Sequence, residues 1–205
     1  MLGMPTPVCR FDPKYWRAIK LPVPTNMGLP QIFLTCLEKM EPNATFTDTL
    51  PTIQSSSGTR YFAKVGTESE KDQYIGEAVS LNAMNEAAPG LSPRVFAFGV
   101  IENSGNKFLE GKPYFLSEYK DFGRLTSKAA GVLAKRLASE LHGYRSNKGF
   151  GFEVPTYCGA TRQENGWYET WEECYNEMIG SLLAKLEQKG MSGDICTKGE
   201  EVRRK

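Results

Sequence analysis

The balance of hydrophobic periodicity along this chain shifts near residue 120, from mostly strand-like around one helical stretch to helical. Before that point apolar residues alternate with polar ones over short runs, the two-residue period of half-buried strands. After it they recur at three- and four-residue spacings, the period of helices. Strands first and helices afterwards predict an α+β architecture, with a boundary between two lobes near 120. No internal repeat is visible.

The clearest strand is Arg60-Tyr61-Phe62-Ala63-Lys64-Val65, in which Lys64 is the last inward position. Asn43 to Ile53, with Thr45, Phe46, Thr47 and Thr49, predicts another, placed at an edge by Pro51. Gln54-Ser55-Ser56-Ser57-Gly58 is the turn joining the two into a hairpin. A helix is predicted over Ser69–Ala87, where Tyr74, Ala78, Leu81 and Met84 share a face, Glu77 lies beside it and Pro89-Gly90 ends it. Strands follow over Arg94–Ile101 and Lys112–Tyr119. The order strand, strand, helix, strand, strand gives an antiparallel sheet carrying one helix.

Beyond the boundary, Thr126 to Tyr144 predicts a helix with Ala130, Leu133, Leu137 and Leu141 on one stripe and Thr126 or Ser127 as its cap. Lys148-Gly149-Phe150-Gly151-Phe152 predicts a loop, and Trp167–Lys189 a long helix with the stripe Trp171, Tyr175, Met178, Leu182 and Leu186. The first 30 residues are rich in proline, which argues against long regular elements; Tyr15, Trp16 and Ile19 fit a single helical turn, and Gln31–Met40 a short amphipathic piece. Gly190 to Lys205 predicts a frayed polar tail. The expected divisions are an irregular segment 1–40, a first lobe 41–119, a partial helical lobe 120–189 and a tail 190–205.

Charge and cysteine usage exclude several classes. Lys and Arg number 25 against 24 Asp and Glu, and that balance gives no support for a nucleic-acid or membrane-binding surface. No apolar run approaches the ~20 residues needed to span a bilayer, and Met1 to Arg10 lacks the pattern of a secretory signal. Cys9, Cys36, Cys158, Cys174 and Cys196 form no C-x-x-C pair, and His142 is the single histidine, which argues against a zinc site. Reduced thiols in the cytoplasm are the expectation, with Cys158 as a buried thiol. Asn43-Ala44-Thr45 is a chance match to a glycosylation acceptor. Asp121-Phe122-Gly123 spells a magnesium motif, but it directly follows a sheet strand and is expected to be a turn. His142 and the pair Trp167/Trp171, four residues apart, fit packing roles before chemical ones.

One block is more specific. Leu137-Ala138, Leu141-His142, Phe150-Gly151-Phe152, Tyr157-Cys158-Gly159, Gln163, Asn165, Trp167 and Trp171 together resemble the fructosamine-kinase (ketosamine-3-kinase) family, over about Arg60 to Met178. The resemblance implies a two-lobed, protein-kinase-like fold, with 41–119 as the ATP-binding lobe and 120–189 as the start of the catalytic lobe. It implies transfer of the γ-phosphoryl group of ATP to the 3-hydroxyl of a sugar adduct on a protein amine, after which the adduct decomposes and the amine is freed. Carried over by position, Lys64 would hold the α/β-phosphates, Glu77 would orient Lys64, and backbone groups of Ser117, Glu118 and Tyr119 would meet the adenine edge. The implied partners are ATP, Mg2+ and a glycated protein or ketosamine.

Two departures accompany the resemblance. Glu41 to Gly58 offers only Gly58 where a glycine-rich phosphate loop is expected. The family's His-Gly-Asp-Leu-Trp catalytic loop, with its metal-binding asparagine and later aspartate, does not occur in these 205 residues. The expectation is therefore that this polypeptide ends before the catalytic aspartate, has its metal ligands beyond residue 205, shows no turnover alone, and partly exposes the stripe from Trp171 to Leu182. A small-molecule kinase of aminoglycoside or choline type and a catalytically dead nucleotide-binding fragment are the alternatives.

Overall fold

A computed structural model describes residues 28–191 and 193–203 of the chain. The turn expected at Tyr15, Trp16 and Ile19 lies outside the described residues, as does Cys9. Strands β1 (Phe46–Thr49), β2 (Thr52–Ser55), β3 (Arg60–Val65), β4 (Val95–Val100) and β5 (Pro113–Glu118) form one sheet in the order β1-β2-β3-β5-β4. All neighbours are antiparallel.

Strand alternation sorts the side chains. Tyr61, Ala63 and Leu116 point to one face, where helix α1 (Gln31–Met40) buries Phe33 and Leu37 against them. Phe115 points to the other, where helix α2 (Lys71–Ala87) packs through Tyr74 and Ala78, with Phe62, Val95, Phe98 and Leu81 around them. The sheet thus carries a helix on each face, not the single helix expected. The first lobe begins at α1, because Phe33 and Leu37 are one helical turn apart and both need a covered surface. Cover on both faces also explains why Phe115, Leu116 and Ser117 are buried in succession.

The strand expected over Asn43–Ile53 is two strands. The chain reverses at Leu50-Pro51, where proline has no amide to offer the ladder but its carbonyl accepts from Ala63 N–H at 2.8 Å. Gly58 lies in the turn at the other end of β2, between β2 and β3. A 3₁₀ turn, Glu68–Glu70, starts α2; Thr67 and Glu70 cap it reciprocally, with Thr67 N–H donating to the Glu70 carboxylate at 2.7 Å.

After β5 the chain runs without regular structure to Thr126, whose hydroxyl accepts from Ala129 N–H at 3.2 Å and caps helix α3 (Ser127–Arg136). A π-turn, Leu137–Leu141, extends α3 and closes with His142 N–H donating to the Leu137 carbonyl. His142 itself is exposed. The loop expected over Lys148–Phe152 contains a short strand, and three more follow before the next helix. These are β6 (Phe150–Gly151), β7 (Thr156–Cys158), β8 (Thr161–Gln163) and β9 (Trp167–Tyr168), with β6 paired to β9 and β7 to β8. Cys158 ends β7 and is exposed, not buried.

Helix α4 (Trp171–Gln188) starts four residues later than its periodicity suggested, because Thr170 and Glu173 form a capping box. Trp167 therefore sits on β9, and the two tryptophans do not share a helix face. Trp171 is 56% exposed, and Tyr175 and Leu182 are exposed as well. The buried positions of α4 are Cys174 and Leu183. Leu183 meets helix α5 (Asp194–Arg203) at Gly199, and Cys196 is buried in α5, so the stretch expected to fray is helical through Arg203. Among the described residues no helix is long and apolar enough to cross a membrane.

The β6–β9 pairing depends on Gly151, which has φ +137° and whose Cβ, if it had one, would fall 1.7 Å from the Gly166 carbonyl oxygen. Gly151→Ala should cost about 3 kcal/mol in denaturant unfolding. Gly131→Ala, in the middle of α3 with open space around it, should instead stabilise by about 0.5–1 kcal/mol through helix propensity.

Candidate functional site

Lys64 lies at the end of β3, on the face that α2 covers, and Glu77 lies on α2. Lys64 Nζ donates to Glu77 Oε2 at 2.5 Å. The side chains keep 29% and 37% of their exposure, so the pair is reachable from solvent. Two rings confine the ammonium: it stands 4.5 Å from the Tyr74 ring centre and 5.3 Å from that of Phe115. Burial, followed by the nearby Glu70 and Glu77 carboxylates, pushes the Tyr74 phenol well up, which keeps it neutral beside the pair. The outcome is an oriented ammonium with apolar walls and one carboxylate partner.

Register carries the same face toward the end of β5. Lys64 pairs with Phe115 and Phe62 with Ser117, so Lys64 and Ser117 are two ladder positions apart, about 7 Å along the strand. Ser117 is buried, and its hydroxyl donates to the Glu118 carbonyl at 3.3 Å. Glu118 is anchored twice to Arg94: its N–H donates to the Arg94 carbonyl at 2.8 Å, and its carboxylate accepts from Arg94 N–H at 3.2 Å. The same carboxylate accepts from Lys120 Nζ at 2.7 Å. Lys120, with the Arg94 amide after it, holds the Glu118 carboxyl below its ordinary range against the opposing effect of burial. Arg60 lies 4.4 Å from the Tyr119 ring centre and pairs with Asp121. Phe122 stands 91% exposed, so Asp121-Phe122-Gly123 is part of the irregular segment after the strand.

The expected site residues thus fall on one lobe. Lys64 and Glu77 touch; Ser117, Glu118 and Tyr119 lie at the end of the adjacent strand. The Leu50-Pro51 turn lies beside β3, one residue from Lys64 in the ladder. Among the described residues no group of three or more His, Cys, Asp or Glu side chains could hold a metal. A cavity of about 1000 Å3 lies elsewhere: it opens against the C-terminal half of α2, between Ala83 and Met84 on one side and Leu141, Phe150, Trp167 and Trp171 on the other.

Sequence reasoning did not single out Gly76, the residue before Glu77. An ideal Cβ there would lie 2.5 Å from the Pro155 carbonyl oxygen, so α2 and the loop before β7 meet backbone to backbone. A glycine inside a helical pattern was the available signal, since it often marks such an approach.

A five-stranded antiparallel sheet in this order, with a strand lysine paired to a glutamate on the helix covering it, defines a lobe of protein-kinase type. Comparison with known proteins narrows the class. The sequence profile described as fructosamine kinase matches residues 47–205, and the chain belongs to that family. The protein-ribulosamine 3-kinase of Arabidopsis thaliana is 32% identical over 133 residues, which cover 65% of this chain and 38% of that protein. A provisionally named ketoamine kinase of Vibrio parahaemolyticus is 29% identical over 134 residues, covering 65% and 44%. The chain thus spans about two fifths of the length of these curated relatives. Among solved structures, a provisionally named fructosamine-3-kinase from Haemophilus somnus superposes with a TM-score of 0.65 at 19% identity, over 86% of this chain and 60% of that one. A counterpart from Thermobifida fusca gives 0.53 at 19% identity, over 74% and 51%.

The depressed Glu118 carboxyl has a stability consequence. A group whose folded pKa lies below its unfolded value contributes stability above that unfolded value and loses it as pH falls through the folded one. Unfolding free energy should therefore decline below about pH 4.5. Glu118→Gln should flatten part of that decline in denaturant titrations between about pH 6 and 3; an unchanged slope would show that the Lys120 contact is not maintained in solution.

Proposed function

We propose that the chain is the ATP-binding part of a ketosamine kinase, one that phosphorylates the 3-hydroxyl of sugar adducts on protein amines and so leads to deglycation. The observation that carries this reading is the 2.5 Å contact between Lys64 and Glu77, confined by Tyr74 and Phe115. A lysine held in one rotamer by a carboxylate is pre-organised to meet the α/β-phosphates of ATP. Ser117, Glu118 and Tyr119 would present backbone groups to the adenine edge. Mg2+, when bound with ATP, neutralises charge on the transferred phosphoryl group. Family membership and the kinase names of the relatives support the reaction class. A reducing compartment such as the cytoplasm suits the free thiols Cys36, Cys158, Cys174 and Cys196.

The reading has a second part. The 205 residues contain no His-Gly-Asp-Leu-Trp motif, so the aspartate that would accept the substrate hydroxyl proton is not among them. This polypeptide by itself binds Mg-ATP without turning it over.

Calorimetric titration with Mg-ATP tests the first part. A charge-assisted hydrogen bond contributes about 1.5–3 kcal/mol, so Lys64→Met should weaken binding by tenfold or more. Binding that is unaltered in Lys64→Met would remove Lys64 from the site. An assay with Mg-ATP and a ribulosamine peptide tests the second: no product is expected, and saturable product formation would contradict it.

A further inference from the structure

Glu77 reaches Lys64 only while α2 keeps its place on the sheet, and displacement of the corresponding helix breaks the lysine–glutamate pair in kinase-type folds. Around Glu77, the N-terminal half of α2 is held from outside the sheet by the β7–β8 hairpin and its flanks. At the first turn of α2, Asp72 pairs with Arg162 of β8. Arg162 is oriented by Glu164, whose carboxylate accepts from Nε at 2.7 Å, and by the Tyr157 hydroxyl at 3.4 Å. One turn further along α2, Gly76 abuts the Pro155 carbonyl. Asn165 braces both flanks of Pro155: its Nδ2 donates to the Val154 carbonyl at 2.8 Å and to the Thr156 hydroxyl at 3.0 Å. Lys185 of α4 donates to the Arg162 carbonyl, which ties the hairpin to the long helix.

We propose that the β7–β8 hairpin is a built-in brace for α2, and that Arg162 and Asn165 are positioning residues that keep Glu77 on Lys64. The two act at different points, Arg162 through Asp72 and Asn165 through the Pro155 carbonyl against Gly76. Both points lie within five residues of Glu77 on the same helix. A rigid helix passes a shift at either point directly to the Glu77 carboxylate. The opposite end of α2 is tied as well, by Tyr144 Oη donating to Glu86 at 2.7 Å and Arg136 Nη2 donating to the Pro89 carbonyl at 2.9 Å. Because α2 is also held from outside the lobe, residues that never touch nucleotide help to keep the nucleotide site in place. The inference rests on Lys64 and Glu77 being the phosphate-holding pair, but its test does not require nucleotide.

Acylation of lysine amines on the intact 205-residue chain, read residue by residue by peptide mass spectrometry, provides that test. Lys64 is shielded by Glu77, while Lys120, 32% exposed and paired with Glu118 at 2.7 Å, is a matched control two residues past the end of β5. Glu77→Gln should raise Lys64 labelling and leave Lys120 unchanged. The double variant Arg162→Ala with Asn165→Ala should raise Lys64 labelling about fivefold, again with Lys120 unchanged. Arg162→Lys, which keeps a cation opposite Asp72, should stay within about twofold of the parent chain.

The brace is refuted if the double variant leaves Lys64 as shielded as in the parent while Glu77→Gln exposes it. It is equally refuted if Lys64 and Lys120 become reactive together, which is general loosening. Unchanged labelling in Glu77→Gln would overturn the pair itself, and with it both the brace and the nucleotide reading. The expected labelling pattern in a chain that binds no Mg-ATP would sink the nucleotide reading alone and support the brace.

Discussion

The spacing between α2 and the sheet is the constraint on which the rest of this structure depends. It is set by small and flat groups: Ala78 is fully buried, and Tyr74 lies in the same cluster with the Phe115 ring of β5. That close approach brings the end of β3 and the middle of α2 within hydrogen-bonding reach. A bulkier residue at Ala78 would lift the helix, and Glu77 would lose Lys64 before the sheet lost any of its own pairing. The two helices of the lobe therefore differ in purpose. α1 closes a core with Phe33 and Leu37, whereas α2 closes a core and presents a charged group at a defined height above the strands.

The Lys64–Glu77 pair is not what holds the lobe together. Both partners remain about one third exposed, and ion pairs at that exposure add little to folding because water screens them and long side chains lose entropy. Stability comes instead from the two apolar layers on either face of β3 and β5. The pair is arranged at low energetic weight on a rigid support, which on the proposed reading suits a lysine that exchanges its carboxylate for phosphate.

How much of this was legible in the sequence follows from the range of each interaction. The strands of the sheet and α2 were visible because alternation and helical stripes are local and each element buries one side. Lys64 and Glu77 stood out for the same reason: a charge at the end of an apolar alternation, and a carboxylate beside a stripe. The elements misread were those fixed by a single residue or by distant partners. Pro51 split one expected strand into two. Thr170 moved the start of α4 past Trp167, although its Glu173 partner three residues on was a readable capping box. The short strands β6 to β9 hold two or three residues each, too few for any period to show. α5 was missed because its buried position is a cysteine, Cys196, and a glycine, Gly199, meets Leu183; neither makes an apolar stripe that a periodicity would show. Arg162 showed no role in the sequence, since its partner Asp72 lies 90 residues away, and Asn165 stood out only within the motif block, with nothing to show that it binds either side of Pro155.

The turn between β1 and β2 has a consequence of its own. It contains no glycine, Pro51 has no N–H to donate, and Leu50 packs into the core under the sheet. A hairpin built this way is pinned down, and it cannot wrap an anion in converging amides as a glycine-rich loop does. On the proposed reading, the grip on phosphate passes from many fixed dipoles to the single mobile charge of Lys64. Dipoles buried around an anion are nearly indifferent to dissolved ions, whereas one partly exposed ammonium shares its field with every counterion within a Debye length, about 8 Å at physiological ionic strength. Nucleotide occupancy of such a lobe follows the ionic strength around it, a sensitivity written into the fold by one proline and one leucine.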